Sequence, residues 1–90
     1  MILLTLEHIL HLHALSIQRY GGSSGVRDVG RLEAALATQH QEVFGSELYP
    51  RLEQKAAVLM RNIIGDHPFV DGNKRTGSLV ALTLLELNGK

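Results

Sequence analysis

The sequence predicts an all-α protein, a small helical bundle with one short β-hairpin ahead of its last pair of helices. Three observations carry that expectation. The chain has 90 residues, which is enough for one domain and no more. Nine glycines divide it into segments. Between those breaks, apolar residues recur at three- and four-residue intervals, the period of a helix.

The first helix spans Thr5 to Tyr20, with Leu6, Ile9, Leu10, His13 and Ile17 on its apolar face and Thr5 as its cap. Gly21-Gly22-Ser23-Ser24-Gly25 reads as a flexible loop. A short second helix follows, with Asp28 as N-cap and Val29, Leu32 and Leu36 along one face. Residues 43 to 49 suggest the hairpin, because Val43-Phe44 and Leu48-Tyr49 flank a Gly45-Ser46 pair suited to a tight turn. In the third helix Pro50 occupies the first turn, where a missing N–H is tolerated. Leu52, Ala56, Leu59, Met60 and Ile63 then form one stripe, and Gly65 ends it. The last helix runs from Asn73 to Asn88, with Gly89 as its stop. Leu79, Val80, Leu82, Leu84, Leu85 and Leu87 point in nearly every direction around it, so it is expected to need cover on all sides.

Composition excludes several classes. An apolar fraction of 44% is that of a folded globular chain. Nine basic and nine acidic residues cancel, which argues against a nucleic-acid binder held by bulk electrostatics. Without cysteine there is neither a disulfide scaffold nor a zinc ribbon. No apolar run reaches the roughly 18 residues of a membrane span. Met1 to Leu6 lacks the basic region and small-residue cleavage site of a signal peptide. A cytoplasmic protein is the resulting expectation.

One stretch concentrates chemistry: His67-Pro68-Phe69-Val70-Asp71-Gly72-Asn73-Lys74-Arg75-Thr76-Gly77. It holds a titratable base, a carboxylate, a glycine turn and two cations, and it opens the last helix. A helix N-terminus presents unpaired N–H groups and a positive partial charge, which together bind anions. Gly72 lets backbone approach a phosphate without a Cβ in the way. Lys74 and Arg75 are unfavourable for the helix by itself at that end, and an anionic ligand would account for them. The spacing is not that of a P-loop.

His67 through Arg75 resembles the signature of the Fic/Doc superfamily, His-Pro-Phe-x-(Asp/Glu)-Gly-Asn-(Gly/Lys)-Arg, at eight of nine positions. Lys74-Arg75-Thr76 is closer to the Doc (death-on-curing) branch, the toxin half of bacterial toxin–antitoxin modules. Arg19-Tyr20-Gly21-Gly22, Gly25, Asp28 and Gly30-Arg31 are similar to the Doc N-terminal region, so the likeness covers most of the chain. Adenylyl-transferring Fic enzymes have glycine at the place of Lys74 and a second arginine where this chain has Ser78. The best-known Doc motif has alanine where this chain has Gly72.

The resemblance implies a single Fic/Doc-like domain over residues 1–90, with the motif between two core helices and a flap hairpin at 43–49. Doc-like chains continue past the last helix, so it also implies a C-terminally shortened form. It implies His67 as general base, Asp71 as the Mg²⁺ ligand, the Gly72 and Asn73 amides as an anion cradle, and Lys74 and Arg75 as charge neutralisers. The activity implied is phosphoryl transfer from ATP to a hydroxyl of a target protein, in the Doc branch elongation factor Tu. AMP transfer to a protein hydroxyl by a Fic-type adenylyltransferase is the first alternative. A non-catalytic Fic-like domain that binds an antitoxin segment is the second. The expected partners are the protein substrate, a cognate antitoxin as a separate chain and, from the apolar last helix, a second copy of the chain.

The remaining candidates read as structural. Phe69 is expected to anchor the motif loop in the core. His8 and His11 share a face, but His13 lies about 140° away from His8, so the three do not converge on a metal. His40 is expected on the surface, and Tyr20 and Tyr49 in ring packing.

Overall fold

A computed structural model describes all 90 residues and contains four α-helices: α1 (Leu6–Tyr20), α2 (Val29–Ala37), α3 (Leu52–Asp66) and α4 (Asn73–Leu87). A 3₁₀ turn (Thr38–His40) and two antiparallel strands, β1 (Glu42–Val43) and β2 (Ser46–Glu47), connect α2 to α3. No helix is long and apolar enough to cross a membrane.

The caps follow the sequence at the first two helices. Thr5 Oγ1 accepts from the His8 N–H, and His8 Nδ1 accepts from the Thr5 N–H, so both bonds of a capping box form. Asp28 Oδ1 accepts from the Arg31 N–H at 3.0 Å. The buried faces are narrower than periodicity suggests. In α1, Ile9, His13 and Ser16 are buried while Leu10 faces solvent. In α2, Leu32 and Ala35 are buried and Val29 is exposed.

Three boundaries differ from expectation. The hairpin turns at Phe44-Gly45 rather than Gly45-Ser46, because both residues adopt positive φ, 51° and 81°, and Val43 pairs with Ser46. A two-residue hairpin loop requires that conformation for its twist to match that of the strands. Pro50 lies outside α3, which Arg51 caps by donating its N–H to Gln54 Oε1. Gly65 lies inside α3, and His67 takes the left-handed C-cap conformation instead. The rest of the connection is held from below, where the buried Lys55 ammonium donates to the Gln39 carbonyl (2.6 Å) and to Glu47 Oε1 (2.9 Å).

The core joins Ile9 of α1, Leu32 of α2, Leu59 and Ile63 of α3, Phe69, and Val80 and Leu84 of α4. Helices α3 and α4 are closely packed at Gly77, where a Cβ would lie 2.8 Å from Ile64 Cγ1 and 3.2 Å from the Met60 carbonyl. The expectation that α4 needs cover all round is corrected at Leu84, which the chain's own helices bury completely, and Leu85 is partly packed on the core. Leu82 and Leu87 remain 55% and 42% exposed.

Candidate functional site

The stretch from His67 to Arg75 forms a compact turn joining α3 to α4, held together by Phe69 and the Asn73 side chain. Phe69 is completely buried and meets Val26 in an isolated antiparallel bridge. The Asn73 side chain spans the turn, accepting from the Phe69 N–H at 2.9 Å and donating to the Phe69 carbonyl at 3.0 Å. That side chain is therefore a brace. What Asn73 offers toward the site is its backbone N–H.

Gly72, at φ 75°, is the N-cap of α4, and no side chain caps this end. The Thr76 N–H closes the first turn onto the Gly72 carbonyl, which leaves the Asn73, Lys74 and Arg75 amides ahead of it. Gly72's own N–H donates to Asp71 Oδ1 at 2.8 Å, which corrects the expectation that the Gly72 amide shares the cradle with that of Asn73. His67, Asp71, Gly72, Asn73, Lys74 and Arg75 line one cavity of about 360 Å³. All six candidate residues thus meet at one place.

Asp71 is exposed, yet its carboxylate is held on both oxygens. The Ser23 N–H donates to Oδ2 and the Gly72 N–H to Oδ1. These two bonds, in that order, keep its carboxyl below the usual aspartate range, and the Arg75 charge adds to them. An ionised carboxylate of this kind suits Mg²⁺, which commonly takes one or two protein carboxylates and completes its shell with phosphate oxygens and water. No group of three His, Asp or Glu side chains forms an all-protein metal cage. The His67 imidazole is exposed, with its Nδ1 3.5 Å from Asn73 Nδ2. Lys74 projects freely, while Arg75 donates to the Gly21 carbonyl at 2.8 Å and lies over the exposed Tyr20 ring at 5.6 Å. Tyr20 therefore supports a site cation and is not packed in the core.

The glycine-rich loop, expected to be flexible, is docked on the motif. Besides Gly21 and Ser23, Gly25 accepts from the Val70 N–H, and the Arg27 and Asp28 N–H groups donate to the Pro68 carbonyl. Residues without a sequence-derived role include His13, whose ring stacks on Phe69 and whose Nε2 is 2.8 Å from the Asp71 carbonyl. Gly22 is another, because a Cβ there would lie 2.6 Å from Asp71 Oδ2. Arg27 is the third, bonded to the carbonyls of Asp66 and His67. The only sequence signals here were helical spacing for His13 and family likeness for Gly22.

A family model described as Fic/DOC family matches residues 3–85. The chain belongs to the Fic/DOC family. A protein named Toxin Doc from Mycolicibacterium smegmatis is 47% identical over 70 residues, 78% of this chain and 54% of that protein. One named Protein kinase doc from Escherichia phage P1 is 39% identical over 83 residues, 92% of this chain and 65% of its own length. The chain thus spans between half and two thirds of these Fic/DOC relatives.

Proposed function

We propose that this chain carries the catalytic site of a Doc-type toxin, which transfers the γ-phosphoryl group of ATP to a hydroxyl of a target protein. One observation carries the reading. A histidine, an ionised carboxylate and an uncapped helix N-terminus flanked by Lys74 and Arg75 line a single cavity.

In this reading the target hydroxyl oxygen attacks the γ-phosphorus and its proton passes to the His67 imidazole. The bond from γ-phosphorus to the bridging oxygen breaks, and ADP leaves. His67 suits the task because an imidazole nitrogen can accept the proton of an attacking hydroxyl. The Asn73, Lys74 and Arg75 amides and the two side-chain cations stabilise charge on the transferred group where it develops. Mg²⁺ on Asp71 would neutralise the nucleotide phosphates. Arg75 is held by Gly21 and Tyr20, so little reorganisation is needed when the anion arrives.

Two facts favour phosphoryl over adenylyl transfer. Position 78 offers a serine, its hydroxyl turned back onto the Lys74 carbonyl, where adenylyl-transferring relatives have a second arginine. The phage P1 relative is named a protein kinase. A target of the elongation factor Tu type, a cognate antitoxin and a cytoplasmic location belong to the same proposal. The test is incubation with γ-labelled and α-labelled ATP in a cell lysate, followed by mass spectrometry. Label from the γ position alone is expected. Label from the α position would mean adenylylation, and no label would mean a binding module.

A further inference from the structure

Helix α3 ends in a way that needs outside support. Its last residues carry no basic side chain, and the left-handed C-cap is His67, at φ 50° and ψ 58°, where glycine is the usual occupant. A side chain bearing a Cβ is disfavoured there. Strain of that kind persists only where surrounding structure over-determines it. The last carbonyls of the helix also have no partner within it.

The support comes from Arg27, thirty-nine residues or more away in sequence. Its Nε donates to the His67 carbonyl at 2.8 Å and its Nη2 to the Asp66 carbonyl at 2.9 Å. One rigid fork thus holds two successive carbonyls, and its positive charge faces the negative end of the helix. Arg31 Nη1 adds a second bond to the Asp66 carbonyl at 2.8 Å, but none to His67. Arg27 itself is anchored, because its own N–H donates to the Pro68 carbonyl at 2.7 Å. The His67 ring has no comparable restraint, with one long contact to Asn73. Its placement therefore depends on its backbone.

We propose that Arg27 is a positioning residue for His67, fixing the left-handed backbone from which the imidazole reaches into the cavity. The inference rests on the reading of His67 as the base and adds a residue outside the motif to that machinery. Arg27 touches neither the cavity nor a reacting atom.

The test compares the parent chain with Arg27→Ala and Arg27→Lys, the latter keeping the charge but offering one nitrogen in place of two. Transfer kcat per folded molecule is expected to fall by about tenfold or more in Arg27→Ala, since small misplacements of a catalytic group are costly. ATP affinity is expected to hold within about twofold, the pattern of a group that acts in the transition state. Arg27→Lys is expected to fall between the two, and it carries the test if Arg27→Ala does not fold. The backbone amide coupling and Cα shift of His67, read by NMR, should leave the left-handed range in Arg27→Ala. An unchanged His67 signature in the variants, or parental kcat, overturns the proposal. A parent that transfers nothing sinks the base reading instead, and the His67 signature still decides whether Arg27 holds that backbone.

Discussion

His13 lies flat against Phe69, with ring centroids 3.8 Å apart and planes 6° from parallel, and its Nε2 is 2.8 Å from the Asp71 carbonyl. One buried histidine of α1 thus supports both the anchor of the motif and the backbone of its carboxylate. His13→Ala should cost about 2–4 kcal/mol, combining a cavity beneath Phe69 with a lost hydrogen bond. His13→Phe keeps the stack and should cost about 1 kcal/mol. Urea unfolding of the three proteins checks the order, and equal midpoints for His13→Ala and the parent would refute it.

Acid should break the Ser23 contact between the glycine loop and the motif. The Asp71 carboxyl is held below its ordinary value of 3.8, first by the Ser23 N–H, then by the Gly72 N–H. A lowered folded-state pKa gives stability that is present above the unfolded value and lost as pH falls through the folded one. Hydrogen exchange at the Ser23 amide should therefore accelerate, beyond its intrinsic pH dependence, only below about pH 3.8, and Asp71→Asn should remove that step. A Ser23 amide equally protected on both sides of that range would contradict the assignment.

Gly22→Ala should damage the site more than Gly21→Ala. Both positions have positive φ, so both variants carry backbone strain. Only at Gly22 does a Cβ meet Asp71 Oδ2, at 2.6 Å, whereas nothing lies within 4 Å at Gly21. Mg²⁺-dependent ATP binding by calorimetry should weaken more in Gly22→Ala than in Gly21→Ala. Equal affinities in the two variants would show that the loop does not set the carboxylate.

The catalytic assignment separates two motif residues. His67→Ala should lower transfer by about 10²–10⁴ while retaining ATP binding, because a general base acts on the incoming hydroxyl. Asp71→Ala should abolish the Mg²⁺-dependent part of ATP binding with the fold intact, since the carboxylate is exposed. Growth arrest on induction of His67→Ala would be incompatible with the enzyme reading.

Leu82 and Leu87 should make this chain self-associate or seek a partner. Burying one such leucine contributes about 1.5–3 kcal/mol, and the 55% exposed Leu82 borders apolar Ala81 and Leu85 on the same cavity wall. Light scattering is expected to show species above the 9.9 kDa monomer, reduced in Leu82→Glu. A strictly monomeric parent at high concentration would count against this.

Local signals located most of the fold. Helical spacing and the Thr5 and Asp28 caps placed α1 and α2 because the chemistry that starts those helices lies within a few residues. The end of α3 was illegible, since Gly65 looks like a stop and the actual terminator, His67, works only with Arg27 clamped to it. The six motif residues were legible because they adjoin in sequence. The supporting roles of His13, Gly22, Ser23 and Arg27 were not, because helical spacing or family likeness names no partner thirty-nine residues or more away. The apolar circumference of α4 overstated the need for outside cover for the same reason, as Leu84 is buried by partners that periodicity alone does not reveal.

The buried Lys55 gives the protein an uneven chemistry toward acylating reagents. The chain has three lysines, Lys55, Lys74 and Lys90. The Lys55 amine, with its side chain 3% exposed and its protons committed to Gln39 and Glu47, is shielded for as long as the hairpin stays on α3. Lys74 stands open at the cavity that begins α4, and Lys90 is 59% exposed. Acylation at Lys55 therefore reports the hairpin lifting away, while acylation at Lys74 erases a charge from the cavity at the start of α4 without disturbing the core. A single modifying enzyme or reagent would thus reach this cavity before it reached the fold.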